Sequence, residues 1–157
     1  MASQPHQYRK HFSLEEANAM LPLVRAIAQD LSRLSRDVIE RRERLSQLRN
    51  KRGRGTDVFS EEVQHIEDEL EKDGQQLQEY VNELRDLGVE PKNGLEGLID
   101  FPSLMDGRVV YLCWKLGEPE VAHWHEIEAG YRGRQPLFAE SADGESTIID
   151  LGSDSDD

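Results

Sequence analysis

LPLVRAIAQDLSRLSRDVIERRERLSQL, residues 21–48, decides the fold. Val24, Leu31, Val38 and Leu45 fall seven apart, Ile27, Leu34 and Leu48 fill the second seam position, and only Arg41 breaks the pattern. A second run repeats the rule: Val63, Leu70, Leu77 and Leu84, interleaved with Phe59, Ile66, Tyr80 and Leu87, with Asp73 as the exception. Two heptad segments joined by the short glycine-bearing stretch from Asn50 to Thr56 predict an antiparallel coiled-coil hairpin over residues 13–88. If Leu48 lies near Phe59, Leu34 falls beside Asp73 and Gly74, and Asp73 either turns outward or meets Arg33 or Arg36. Leucine in place of Arg41 is then expected to be neutral or stabilising.

Ser13 and Glu16 form a capping-box pattern at the start of the first helix. Pro22 lacks an N–H and clashes with the preceding turn, which predicts a kink there or a short first helix abutting a second near Leu21. Ser60 with Glu61 and Glu62 suits the start of the second helix, and Gly88 its left-handed end. Beyond Gly88 the period changes to two. Residues 97–102, 108–115 and 120–127 read as three strands, separated by the turn sequences Met105-Asp106-Gly107 and Leu116-Gly117-Glu118-Pro119. The expected fold is therefore α+β: a helical hairpin, then a three-stranded antiparallel meander over residues 97–137. The strand VVYLCW, residues 109–114, is apolar on both faces. The hairpin covers one, and either the segment after Ile127 or a second subunit covers the other.

Composition narrows the class. The 157 residues are 36% hydrophobic and 32% charged, with a net charge of −13. Seven acids and no Lys or Arg occupy residues 139–157. Such a balance argues against nucleic acid and anionic membranes as partners. No apolar run approaches a bilayer span. Cys113 is the only cysteine, so a reducing, cytoplasmic setting is expected. The domain reading is a disordered segment 1–11, a single domain 12–137, and a disordered acidic tail 138–157.

Several segments together resemble a family catalogued as domain of unknown function 2203. They are Glu15 to Pro22, Gly97 to Pro102, Asp106-Gly107-Arg108, Leu112 to Val121, Trp124-His125 and Glu128 to Leu137. The resemblance covers roughly residues 12–137. It implies a bacterial protein with these fold boundaries and brings no activity with it.

Chemistry comes closest to the surface of the sequence at His123-Trp124-His125-Glu126. On a strand, His123 and His125 project from one face about 7 Å apart. Two such imidazoles can share a zinc-like divalent ion, with Glu118, Glu120 or Asp100 as third ligand. Glu126 could act beside a metal-bound water, although a regular strand turns it to the opposite face. In this reading Cys113 is a buried structural thiol outside the site. Arg132 and Arg134, near Trp124, offer a place for a small anion; the alternative is a turn whose arginines pair with Glu126, Glu128 or Asp100. The basic hairpin tip lacks the aromatics that stack bases. No catalytic set stands out and no cofactor is required. A non-enzymatic interaction module is therefore expected, self-associating as a homodimer or binding another protein. A metal-dependent hydrolase at His123 and His125 and an anion binder at Arg132 and Arg134 are the alternatives. The face of the sheet discriminates: histidines pointing into the hairpin would end the enzyme reading.

Overall fold

The computed structural model of the chain describes residues 10–50, 57–140 and 146–148. Two long helices, α1 (Leu14–Asn50) and α2 (Asp57–Asp86), form the expected hairpin. The Phe59 side chain, the loop 51–56 and residues 1–9, 141–145 and 149–157 lie beyond the described residues. Ser13 Oγ accepts from the Glu16 N–H and Glu16 Oε1 accepts from the Ser13 N–H, each at 3.0 Å, so the capping box forms as read. Helix α1 runs unbroken through Pro22. The alternative of two abutting helices is thereby corrected. The proline costs the N–H that would have reached Asn18, and the Asn18 side chain is engaged elsewhere. Its Nδ2 donates to the Val121 carbonyl at 3.2 Å, and its Oδ1 accepts from the Val121 N–H at 2.7 Å. This two-way bond clamps the start of α1 to the sheet.

Helix α2 begins at Asp57, ahead of Ser60, so Ser60 is not its cap. It closes at Gly88, which has φ 97°, with the Val89 N–H bonded back to Leu84 O. The two interruptions of the heptads meet each other: Arg41 Nη1 lies 2.5 Å from Asp73 Oδ2. That corrects the pairing of Asp73 with Arg33 or Arg36. The offset between the helices brings the two charged seam positions together, which spares each an apolar neighbour.

The sheet has five antiparallel strands in sequential order, β1 (Glu90–Asn93), β2 (Leu98–Met105), β3 (Arg108–Lys115), β4 (His123–Glu126) and β5 (Gln135–Pro136). The three central strands were expected. The two edge strands were not, because Glu-Pro-Lys-Asn and Gln-Pro have no alternation and carry prolines that suit only an edge. Asp106 and Gly107 take φ 54° and 82°, a two-residue turn of the type that matches strand twist. It sets Met105 opposite Arg108 and hence Asp100 opposite Cys113. Beyond Leu137, β6 (Phe138–Glu140) pairs with β7 (Ser146–Ile148) inside the stretch read as a structureless tail.

One sheet face, with Ile99, Phe101, Met105, Val110, Leu112, Trp114 and Trp124, packs on Ala17, Leu21, Val24, Ala28 and Leu31 of α1 and Leu84 of α2. The small side chains of Ala17 and Ala28 let α1 approach closely. Polar side chains of α1 then fix the loops: Ser32 Oγ donates to Leu95 O at 2.6 Å and Arg25 to Pro119 O at 3.1 Å. No helix among the described residues is long and apolar enough to cross a membrane.

Candidate functional site

The opposite face of the sheet carries the chemistry. Register places Asp100 of β2 beside Cys113 of β3, and Tyr111 and Cys113 of β3 beside His125 and His123 of β4. Asp100, Cys113, Tyr111 and His125 are all buried, at 2% exposure or less. Both faces of VVYLCW are thus covered within the chain. Part of the cover is the segment after Ile127: Arg134, held against the Tyr131 ring at 4.5 Å, reaches to 3.9 Å from Cys113 Sγ. A second subunit is not needed here.

His125 is the centre of the cluster. Its Nε2 lies 3.1 Å from both carboxylate oxygens of Asp100, and its Nδ1–H donates to the Glu126 carbonyl at 2.7 Å. Burial alone would favour the neutral ring. The hydrogen bonds to Asp100, Cys113 and the Glu126 carbonyl, with the Asp100 charge, outweigh it and raise the pKa to about 10. The protonated ring is thus the favoured form of His125 in this buried pair. The donor atoms of Asp100, Cys113 and His125 lie within 4.8 Å of one another. Thiolate, imidazole and carboxylate at that separation are a usable ligand set for a zinc-class ion.

A second constellation flanks the first. Arg134 grips Glu118 with both guanidinium nitrogens, and Glu118 also accepts from the Lys115 N–H at 2.9 Å. Burial opposes the Glu118 charge, but the Arg134 fork and the Lys115 N–H hold its pKa below the usual range. His123 borders this ion pair. Its Nδ1 is buried with no hydrogen-bond partner among the described residues. Burial first, and the Arg134 charge second, lower its pKa, against a weaker pull from Glu118.

The residues singled out from sequence separate accordingly. His123 and His125 share the face directed away from the hairpin, the arrangement the enzyme reading required. They do not form one site: His125 joins Asp100 and Cys113, whereas His123 sits by Glu118 and Arg134. Asp100 is the carboxylate brought to His125; Glu118 is not, being engaged by Arg134. Glu126 turns to the other face and pairs with Arg108, Nη2 to Oε2 at 2.6 Å, so it stands apart from the cluster. Trp124 packs among the core residues against the helices, on the opposite side of the sheet from Arg134. Arg132 is exposed in the 3₁₀ turn Tyr131–Gly133. The anion subsite drawn from Arg132, Arg134 and Trp124 is therefore not assembled, and Arg134 takes Glu118 in place of Glu126, Glu128 or Asp100. Cys113 is the participant that sequence reasoning set aside. Counting five residues back and five forward from the Met105–Arg108 pair would have placed it opposite Asp100.

Residues 10–137 match the family described as an uncharacterized conserved protein, DUF2203. With most of its length matched, the chain belongs to that family. No curated protein and no solved structure matches it.

Proposed function

We propose that this member of the family is a non-enzymatic self-association module whose distal hairpin, residues 31–70, packs against that of a second copy. The observation that carries this reading is a half-covered apolar seam on a charge-neutral arm. Leu34, Leu48, Val63 and Leu70 are only half-buried in the hairpin, and Ile39 is 49% exposed. Residues 31–70 carry nine Lys and Arg against nine Asp and Glu, so the whole net charge of −13 lies outside the arm. Copies that repel elsewhere can meet there.

The arm's charges are also segregated. Residues 31–54 hold all nine of its basic side chains and three acids; residues 57–70 hold six acids and no Lys or Arg. Some are already paired, Arg44 with Glu62 and Arg49 with Glu67 within the arm, and Arg41 with Asp73 just beyond it. Arg33, Arg36 and Arg42 are exposed and make no ion pair among the described residues. A two-fold arrangement lays α1 of one copy along α2 of the other, so opposite charges face and the two seams close into a four-helix bundle. The single, buried thiol suits a reducing cytoplasm.

Sedimentation velocity from about 1 to about 100 µM tests this, a range that brackets micromolar dissociation. The expected result is a dimer that weakens as salt rises and that Ile39→Glu dissociates. Ile39 is half in solvent, so that change leaves the fold intact. A monomer throughout the range refutes the proposal. A dimer indifferent to Ile39→Glu removes the arm from it.

A further inference from the structure

We propose that Asp100, Cys113 and His125 form a binding site for one divalent transition-metal ion of the zinc class. The site lies on the sheet face opposite the helices and is independent of any association through the arm.

Three donors of three kinds converge from three adjacent strands: a carboxylate oxygen from β2, Sγ from β3 and Nε2 from β4, all within 4.8 Å of one another. The separation needs little closing, since ligands about 2.0–2.3 Å from a tetrahedral ion stand roughly 3–4 Å apart. The two central ladders hold their backbones in register, so the set is built on the most rigid part of the fold. The supporting bonds fit as well. His125 Nδ1–H donates to a backbone carbonyl, which directs Nε2 toward the other two ligands. This is the outer bond that metal-binding histidines ordinarily make. The Arg134 guanidinium, 3.9 Å from Cys113 Sγ, sets a positive charge beside the sulfur ligand.

Three protein ligands leave one tetrahedral position. The adjacent sheet position on β4 is His123, whose buried Nδ1 has no partner among the described residues. It lies outside the 4.8 Å cluster, so the core set is complete without it. The chemistry selects the ion: one soft thiolate and one imidazole disfavour magnesium and calcium, which take oxygen ligands.

Cobalt(II) is the probe, because thiolate coordination gives it a charge-transfer absorption in the near ultraviolet that oxygen and nitrogen ligands do not. Full-length protein without a histidine tag is treated with chelator, desalted and titrated with cobalt, natively and during refolding. The expected band saturates at one equivalent and is displaced by zinc. It is absent in Cys113→Ser and His125→Gln and retained in His123→Ala. His123→Ala keeps all three donors, so it also serves as the folded control. A wild-type protein that gives no saturable band under either loading overturns the site. So does a band that survives in folded Cys113→Ser, whose fold is checked by circular dichroism. Loss of the band in folded His123→Ala overturns the three-ligand assignment.

Discussion

Replacing Asp100 with Asn should remove a stability contribution that depends on pH in a direction opposite to the common acid-labile carboxylate. In the metal-free protein, His125 is held protonated by Asp100, with a pKa raised from 6.5 to about 10. A histidine whose folded pKa exceeds its unfolded value stabilises the fold fully below the unfolded pKa. That contribution is lost as pH rises through the window from about 6.5 to about 10. Each unit of separation is worth about 1.4 kcal/mol, so the ceiling is near 5 kcal/mol. Breaking a buried pair by removing one partner costs about 3–5 kcal/mol by independent measure. His125 and Asp100 are each 2% exposed, so screening by solvent does not reduce the figure much. The assay is urea denaturation in the presence of a chelator, at intervals from pH 6 to pH 10. Wild-type stability should fall from about pH 6.5 upward. Asp100→Asn should be less stable near pH 7 by about 3–5 kcal/mol and lose most of the slope. Groups common to both proteins cancel in the difference. Parallel curves for the two proteins would refute the reasoning, as would a His125 ring that titrates near 6.5 in the folded wild type. His123 does not confuse the reading, because its pKa is lowered.

Two further predictions concern the scaffold. Arg41→Leu should cost about 1 kcal/mol, because it strands Asp73, whose side chain is only 14% exposed. This reverses the expectation from the heptads alone, and Arg41→Leu with Asp73→Leu should recover wild-type stability or exceed it; a thermal melt in which the single variant matches the wild type would remove the pair from the account. Gly97→Ala should cost about 1–3 kcal/mol, since Gly97 has φ +67° and an added Cβ would stand 2.5 Å from Leu116 Cβ. Gly107→Ala, at φ +82° but in open space, should cost less, and equal shifts in melting temperature for the two would contradict the clash.

The hairpin was legible because each helix carries its own periodicity, and a period of three and four sustained along helices of 37 and 30 residues has few other readings. The capping box, the Gly88 cap and the turn at Asp106-Gly107 were legible for a related reason: each is a local device whose residues are contiguous. What lay beyond reading was set by contacts between distant segments. The relative offset of the helices depends on a loop whose length does not fix it, and so Arg41 and Asp73 read as two separate flaws. Strands β1 and β5 are held by a neighbour's ladder and have almost no signal of their own. The site divides along the same line. Asp100 opposite Cys113 follows from one two-residue turn. His125 beside them does not, because the connection from Lys115 to His123 is too long to set a register. The HxH spacing was a true signal of a shared face. It misled only in suggesting that both rings serve one site, where the lateral neighbours on β2 and β3 supply the closer donors.

The two faces of the sheet show how differently the chain treats burial. Toward the helices it fills the space with Ile, Phe, Val, Leu and Trp, the ordinary solution for a small core. On the far face it buries a carboxylate and an imidazole beside a thiol and sets an arginine against the sulfur. A buried ion pair gives little net stability over apolar side chains of similar size, because desolvation consumes most of the attraction. Stability alone therefore does not account for Asp100 and His125, when the same strand positions could carry Val or Leu as their neighbours do. A metal ion changes that balance. Its binding would release the protons of Nε2 and Sγ to solvent in exchange for a divalent charge that all three donors share, and its binding energy becomes folding energy. Loading with zinc should then raise the unfolding midpoint of the wild type and leave Cys113→Ser where it was. That shift would show the polar face to be a site that the fold was built around.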